Sequence, residues 1–345
     1  MYHDRSGRAY EHHVKQEWSG GICMIVLQTV WGWPSALYLF LGGLSGGTCL
    51  ASMALLFYGY KRYRRVIAVS QWIAFILLVA GLLVLLLELS NPARALLMWK
   101  SFSNDASWMA RGAWMLLGAV LLFGFMAVFL SDALSSVAKK AWDALPFRKK
   151  RIRRVLAIIC GGFALGVIAY TGFLLQSAVG IPFWQSPLLP TLFILSALSG
   201  GVNVIALVSL FIHGRKVSYR ERRFLSMGVI ALLVAEGIVL TFFIGDALAG
   251  DSRSAVESAA RIMSAESLLH GTYAVLFWGL FVGCGLVIPF LTSLGSLLVK
   301  KKDGHIFLLL SAFCSLIGEC AFRMAIVYAG AHADYVAQAI VGLLA

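Results

Sequence analysis

A few polar side chains stand at one end of otherwise apolar stretches. Ser35 and Tyr38 follow Pro34 and, three residues apart, share one face of a helix. Glu88 closes the apolar run before Ser90-Asn91-Pro92, with Arg94 shortly beyond it. Trp108 and Arg111 introduce the next run, and Tyr170 and Gln176 lie toward the end of another. Hydroxyls can hold a carbonyl oxygen, and a carboxylate can take or give the accompanying proton. An apolar pocket with a few placed hydrogen-bonders and one acid suits a flat ring bearing two carbonyls, a quinone. For Glu88 a second reading stays open: a solvated helix-end acid paired with Arg94, since exposed pairs are weak.

A second group lies deeper in its apolar runs. Glu236 falls near the middle of one stretch and Glu319 near the middle of another, with Arg323 four residues after Glu319. That order favours an intrahelical pair, and charges at such depth face a partner or a wet cavity. A proton path through Glu236, Glu319 and Arg323 is one reading. A structural Glu319–Arg323 pair beside a neutral Glu236 is the other.

Other chemistries have no residues to carry them. Cys23, Cys49, Cys160, Cys284, Cys314 and Cys320 include no C-x-x-C pair, whereas iron–sulfur clusters and structural zinc need clustered thiolates. The cysteines inside apolar runs read as small packing residues. His213, His270 and His305 stand at the ends of runs and the other histidines in the tails, so no b-type haem and no metal centre are expected.

The elements that must position these residues are membrane helices. The chain is 60% hydrophobic and only 13% charged, about half the charged fraction of soluble domains. Eight stretches reach the roughly 20 residues a crossing needs: 34–58, 66–87, 112–130, 152–177, 188–212, 224–246, 271–299 and 306–329. With no water in the bilayer to satisfy free backbone groups, they must be helices. Pro34 suits the first helical turn, and Trp31 and Trp33 suit the membrane–water boundary. Gly42, Gly43, Gly46 and Gly47 contain two overlapping G-x-x-x-G spacings that let another backbone press close.

Twenty of the 29 Lys and Arg fall in the connections 59–65, 131–154, 213–223 and 300–305. That bias puts the basic connections in the cytoplasm and both termini outside. The net charge of +13 is therefore a topology signal, and nucleic-acid binding is not expected. The outer connections are longer and rich in Trp, Ser, Asn and acid, which suits an outward docking surface. No cleavable signal peptide is visible: residues 1–19 mix acids and bases without the basic-then-apolar order such signals need.

Shifting the chain by 154 residues lays Leu44-Ser45-Gly46-Gly47 on Leu198-Ser199-Gly200-Gly201 and Lys61-Arg62 on Arg215-Lys216. The expected fold is an all-α integral membrane protein of eight helices in two parallel four-helix repeats. Its parts would be an outer arm over 1–33, a first half over 34–177, a second half over 188–329 and an outer tail over 330–345. Under the same shift Ser35 meets Leu189 and Tyr38 meets Leu192. A quinone site therefore belongs to the first half.

Beyond composition, the residues resemble a known family. The eight-span layout carries Trp33-Pro34 with Tyr38-Leu39-Phe40-Leu41-Gly42-Gly43-Leu44, then Ser90-Asn91-Pro92, then Ser107-Trp108-Met109 with Arg111-Gly112. Tyr170-Thr171-Gly172 follows, and Arg323 precedes Tyr328-Ala329-Gly330. In this order they resemble the polysulfide reductase NrfD/PsrC family, to which the DMSO reductase anchor DmsC family is similar. The resemblance implies a haem-free membrane subunit of a respiratory molybdoenzyme complex in the bacterial cytoplasmic membrane, with its active side facing outward. Such subunits exchange electrons between a quinone pool and a ferredoxin-like iron–sulfur subunit on the outer face, which serves a molybdopterin catalytic subunit. By this resemblance Ser35 and Tyr38 take the positions of the hydrogen-bonders on helix one, Tyr170 that of the tyrosine on helix four, and Glu88 that of the acid on helix two. Some relatives carry Asn and His at the helix-one positions, where this chain has hydroxyls.

The expectation is thus an anchor that oxidises menaquinol and passes electrons outward. Tyr38 and Tyr170 would hold the ring, Glu88 would manage a proton, and Ser35, Arg94 and Trp108 would line the mouth. Two rival expectations are a proton-translocating module using the Glu236/Glu319/Arg323 half, and a purely structural anchor. A secondary transporter fits poorly, because its broken midplane helices have no counterpart in these continuous runs.

Overall fold

The computed structural model describes residues 31–88, 108–131, 149–178, 180–213, 219–250, 254–299 and 304–333. Their regular structure is helical: α1 (Trp33–Glu88), α2 (Trp108–Leu130), α3 (Lys149–Gln176), α4 (Leu188–His213), α5 (Tyr219–Ala249), α6 (Ala255–Leu269), α7 (Val275–Leu298) and α8 (Gly304–Tyr328). All but α6 are long and apolar enough to cross a membrane.

Helix α1 supplies two crossings. Its 56 residues would span about 84 Å at 1.5 Å per residue, far more than the roughly 30 Å hydrocarbon core. The helical backbone is interrupted at Gly59 (φ −172°, ψ 64°), and the two arms fold back on each other. Ser45 Oγ donates to the Ala74 carbonyl at 2.6 Å, and Ser52 Oγ to Gln71 Oε1 at 2.9 Å. A Cβ on Gly81 would lie 3.2 Å from Leu41 and 3.7 Å from the Tyr38 ring. Partners whose numbers fall as their mates' rise describe an antiparallel hairpin. The connection expected over 59–65 is therefore only a one-residue break.

Side chains are sorted by what covers them. Leu87, Phe211 and Val275 are among many large apolar residues on the exterior, where lipid tails replace water as their solvent. The interior holds Ser45, Thr48, Ser52, Ser70, Gln71, Ser196, Ser199 and Asn203, all inaccessible. Several bond their own helix: Thr48 Oγ1 donates to the Leu44 carbonyl at 2.7 Å and Thr171 Oγ1 to the Ile168 carbonyl at 2.7 Å. Such bonds satisfy hydroxyls in a medium that cannot solvate them, while Ser70 Oγ and Ser199 Oγ are buried without a partner among the described residues.

The two glycine-rich motifs meet. A Cβ on Gly47 would overlap the Ala197 carbonyl, and one on Gly201 would overlap the Gly47 backbone. The first arm of α1 and α4 thus touch backbone to backbone, which only glycine permits. Gly47→Ala should destabilise the chain by about 1–3 kcal/mol, the usual range for overpacking. A melt of the detergent-purified protein by tryptophan fluorescence checks this. Gly162→Ala, where a Cβ meets nothing within 4 Å, is the control that should leave the midpoint in place.

Two connections expected on the outer side are more ordered than the sequence implied. The connection expected over 247–270 contains α6, whose Ser254 N-cap accepts from the Glu257 N–H. Arg261 of α6 pairs with Asp246, and Ser264 Oγ accepts from the Ala331 N–H at 3.0 Å. Between α3 and α4, Pro182–Gln185 forms a 3₁₀ turn with Phe183 and Trp184 buried. Trp184 Nε1 donates to the Ile326 carbonyl at 2.9 Å, tying that turn to the end of α8. Helix α7 departs from α geometry: Val275–Val287 is π-helical and passes into an α-helix just before Pro289.

Candidate functional site

The first four crossings bring two tyrosines together. Tyr38 comes from the first arm of α1 and Tyr170 from α3, and each is buried. Both lie in one buried core cluster, and Gly42 is bordered by Tyr38 and by Thr171, the neighbour of Tyr170. Glycines place both rings. A Cβ on Gly112 of α2 would overlap the Tyr170 ring and hydroxyl, so the hydroxyl end of that ring rests against the α2 backbone. Gly42 and Gly81 border the Tyr38 ring more loosely, where a Cβ would make only ordinary contact with it at 4.0 and 3.7 Å. Ser35, one turn before Tyr38, is also buried.

The remaining first-half candidates share that end of the bundle. Glu88 is the last residue of α1 and Trp108 the first of α2, so both backbones stand at the end where α1 begins and α3 stops. Their side chains, and the whole of Arg94, lie outside the described residues. Two phenols and a serine in an apolar interior supply hydrogen-bond donors at neutral pH. That donor set fits the carbonyl oxygens of a quinone. Neither Gly112 nor Gly81, which carry no polar atom beyond the backbone, signals a ring contact in the sequence. Arg111-Gly112 was only a pair at a helix start, and Gly81 a lone glycine in an apolar run.

A separate polar cluster fills the seam between α4, α5 and α8. Arg323 of α8 donates through Nη1 to Ser196 Oγ at 3.1 Å and through Nη2 to the Phe193 carbonyl at 3.2 Å. Its guanidinium lies 4.0 Å from the Phe193 ring centroid. Ser196 also bonds the Glu236 carboxyl of α5. Glu319 instead accepts from Ser315 at 3.4 Å, and Ser315 accepts from Asn203 Nδ2 at 2.8 Å. Among the described residues Glu319 and Arg323 form no direct ion pair. The four-residue spacing that suggested one places them on a common face, but the guanidinium is spent on α4. A Cβ on Gly200 would overlap the Glu319 carboxyl, and one on Gly43 would lie 3.4 Å from Arg323 Nη2. Small residues of α4 and α1 therefore make the room this cluster occupies.

Two cysteines are paired in space. Cys49 of α1 and Cys160 of α3 have their sulfurs 3.4 Å apart, and Gln71 Nε2 lies 3.5 Å from Cys49 Sγ. Both are inaccessible. Sequence spacing could not show this, because 111 residues separate them.

Comparison with known proteins finds relatives along most of the chain. The family model "Polysulphide reductase, NrfD" matches residues 26–333. One polypeptide of the polysulfide reductase of Wolinella succinogenes is 31% identical over 315 residues, covering 87% of this chain and 94% of that protein. Protein NrfD of Escherichia coli is 29% identical over 323 residues, covering 87% and 95%. One subunit of the selenate reductase of Mesobacillus selenatarsenatis is 24% identical over 335 residues, covering 88% and 75%.

Proposed function

The chain belongs to the NrfD polysulphide reductase family, and from that premise we propose that it is the quinol-reactive membrane subunit of a bacterial respiratory reductase complex. Two relatives are named as parts of reductases, which supports placing this multi-span protein among partner subunits. In this reading it sits in the cytoplasmic membrane as two parallel four-helix repeats with both termini outside. A ferredoxin-like iron–sulfur subunit docks on the outer face and hands electrons to a molybdopterin catalytic subunit.

The observation that carries the proposal is the meeting of Tyr38 and Tyr170, two buried phenols from different helices, at the end of the bundle where Ser35, Glu88 and Trp108 also stand. A bound quinol, menaquinol in this proposal, supplies two electrons and two protons. Tyr38 and Tyr170 donate hydrogen bonds to its ring oxygens and orient it. Glu88 takes up one proton at its carboxylate, and the second leaves to the outer aqueous phase through the mouth lined by Ser35, Arg94 and Trp108. Both electrons pass to the iron–sulfur subunit. The apolar surroundings exclude water, so the hydrogen bonds act in a low dielectric, where they are strongest. The absence of tyrosine and serine at the matching positions of the second half, Leu189 and Leu192, supports a single site.

A second reading rests on a specific contact. Arg323 reaches Gly43, five residues along α1 from Tyr38, about 7.5 Å at the α-helical rise. The Glu236–Ser196–Arg323 chain and the neighbouring Glu319–Ser315–Asn203 chain therefore begin close to the proposed quinol site. In that reading proton movement through the second half accompanies quinol turnover.

Oxidation of a soluble menaquinol analogue by membranes containing the assembled complex tests the main reading. Tyr38→Phe should slow it about tenfold, the worth of one hydrogen bond at the upper end of the usual range, with the amount of assembled complex unchanged. Wild-type rates in Tyr38→Phe would take Tyr38 out of the site, and no quinol-dependent reduction of the complex at all would leave only the structural-anchor function.

A further inference from the structure

We propose that the cavity at the elbow of α1 binds the anionic phosphoester headgroup of a membrane phospholipid. It lies at the opposite end of the bundle from Tyr38 and Tyr170, among the basic connections. Its volume is about 250 Å³, and its walls come from the elbow of α1, the end of α4 and the start of α5. A cavity that encloses a whole drug-sized ligand measures about 300–1,000 Å³. This one suits a headgroup whose chains remain outside.

The lining has the chemistry for a phosphate diester. Arg62 and Arg220 bring two guanidiniums, against the single carboxylate of Glu221, which lies 3.7 Å from Arg62. All three line the one cavity together with Tyr63, so they converge on one region. Ser209, itself buried, adds a hydroxyl from α4. Guanidinium forks match the paired oxygens of a phosphate better than any other side chain does.

The rim tells a lipid from a soluble anion. Tyr58 and Phe224 both line the cavity and stack on each other, ring centroids 5.3 Å apart at 14°. They are nevertheless 60% and 59% exposed, and neighbouring Phe57 is 47% exposed. A charged hollow bordered by uncovered aromatic faces at the end of a membrane bundle fits a headgroup with acyl chains on those faces. Basic pockets between membrane helices are a known setting for anionic lipid. The position also matters mechanically, because the cavity spans the α1 elbow and the α4–α5 junction. A headgroup held there ties the two halves together at the end away from the quinol site.

The test is binding to the detergent-purified full chain. Mixed micelles carry phosphatidylglycerol, phosphatidylcholine or no added lipid, and a further arm adds inorganic phosphate. Each arginine near the headgroup layer is worth about fivefold in affinity for anionic lipid, so Arg62→Gln with Arg220→Gln should weaken phosphatidylglycerol binding about 25-fold. Lys150→Gln, which removes an exposed charge elsewhere at the basic end, should change it less than twofold, and the Arg62→Lys/Arg220→Lys protein should retain part of the affinity. Equal binding of phosphatidylcholine, or full binding by the glutamine variant, would overturn the proposal. Competition by millimolar inorganic phosphate that matches phosphatidylglycerol would assign the cavity to a soluble anion and overturn the lipid assignment. Should the glutamine variant fail to fold, bound lipid in the native protein decides: phosphatidylglycerol must copurify and must be displaced by salt.

Discussion

Gly112→Ala should cut menaquinol-dependent turnover about a hundredfold while leaving the complex assembled. The added methyl would overlap the Tyr170 ring and hydroxyl, so either α2 or the ring must move. The α2–α3 contact leaves α2 little freedom. A Cβ on Gly118 would overlap Phe163, and one on Gly166 would lie 2.6 Å from Met115 Sδ, so both helices already interlock one and two turns further along. The ring therefore shifts, taking the hydroxyl away from the site by about an ångström, a misplacement able to cost roughly 10²-fold. Tyr170→Phe removes only the hydroxyl and should cost about tenfold. A double-mutant cycle separates positioning from bulk: in a Tyr170→Ala background Gly112→Ala should cost almost nothing further, because the ring it displaces is gone. Turnover by the quantified complex in membranes is the readout. Additive losses, or wild-type activity in Gly112→Ala, would show that Tyr170 does not act through this contact.

How much of this was legible in the sequence depends on the range of the interaction. Eight apolar runs were readable because each crossing satisfies its own backbone, so length and composition suffice. The elbow at Gly59 was not, since a run of Lys61, Arg62, Arg64 and Arg65 looks like a loop whether or not it is helical. Helix α6 was hidden for a related reason. Its residues are too polar to cross a membrane, and it is held by contacts to Asp246 and Ala331 that lie outside it. The same holds for the turn at Pro182–Gln185, where Trp184 is buried by the far end of α8.

For the candidate site, residue types were legible and partners were not. Ser35 and Tyr38 announced themselves by being hydroxyls where the repeat has leucines. That Tyr38 and Tyr170 are buried in one cluster, and that Gly112 makes room for the second ring, depends on how three helices pack. The Glu319–Arg323 spacing suggested a local pair, and the guanidinium instead bridges to Ser196 and Phe193 across the interface. Helical periodicity fixes which face a side chain takes, while the neighbouring helix decides which atoms it meets there.

That bridging makes Arg323 the residue on which the second half depends most. It is almost fully buried, reaches toward the Glu236 carboxyl through Ser196, shares a helix face with Glu319, and touches α1 near Gly43. Arg323→Met keeps length and apolar bulk but leaves two buried carboxyls sharing no cation. Removing one partner of a buried charge cluster costs about 3–5 kcal/mol, so the melting midpoint of the purified chain should fall steeply. If the cost is that of stranded carboxyls, Glu236→Gln and Glu319→Gln added to Arg323→Met should restore at least half of the loss, because an amide needs no counter-charge. The two glutamine substitutions in the native background are then the functional test. They should fold, bind a menaquinol analogue at the wild-type level, and lose proton movement in proteoliposomes if the second half carries protons during turnover. Unchanged proton movement would confine these three residues to holding α4, α5 and α8 together. A triple variant no more stable than Arg323→Met would instead mean that lost packing against Phe193, and not lost charge, destabilises the bundle.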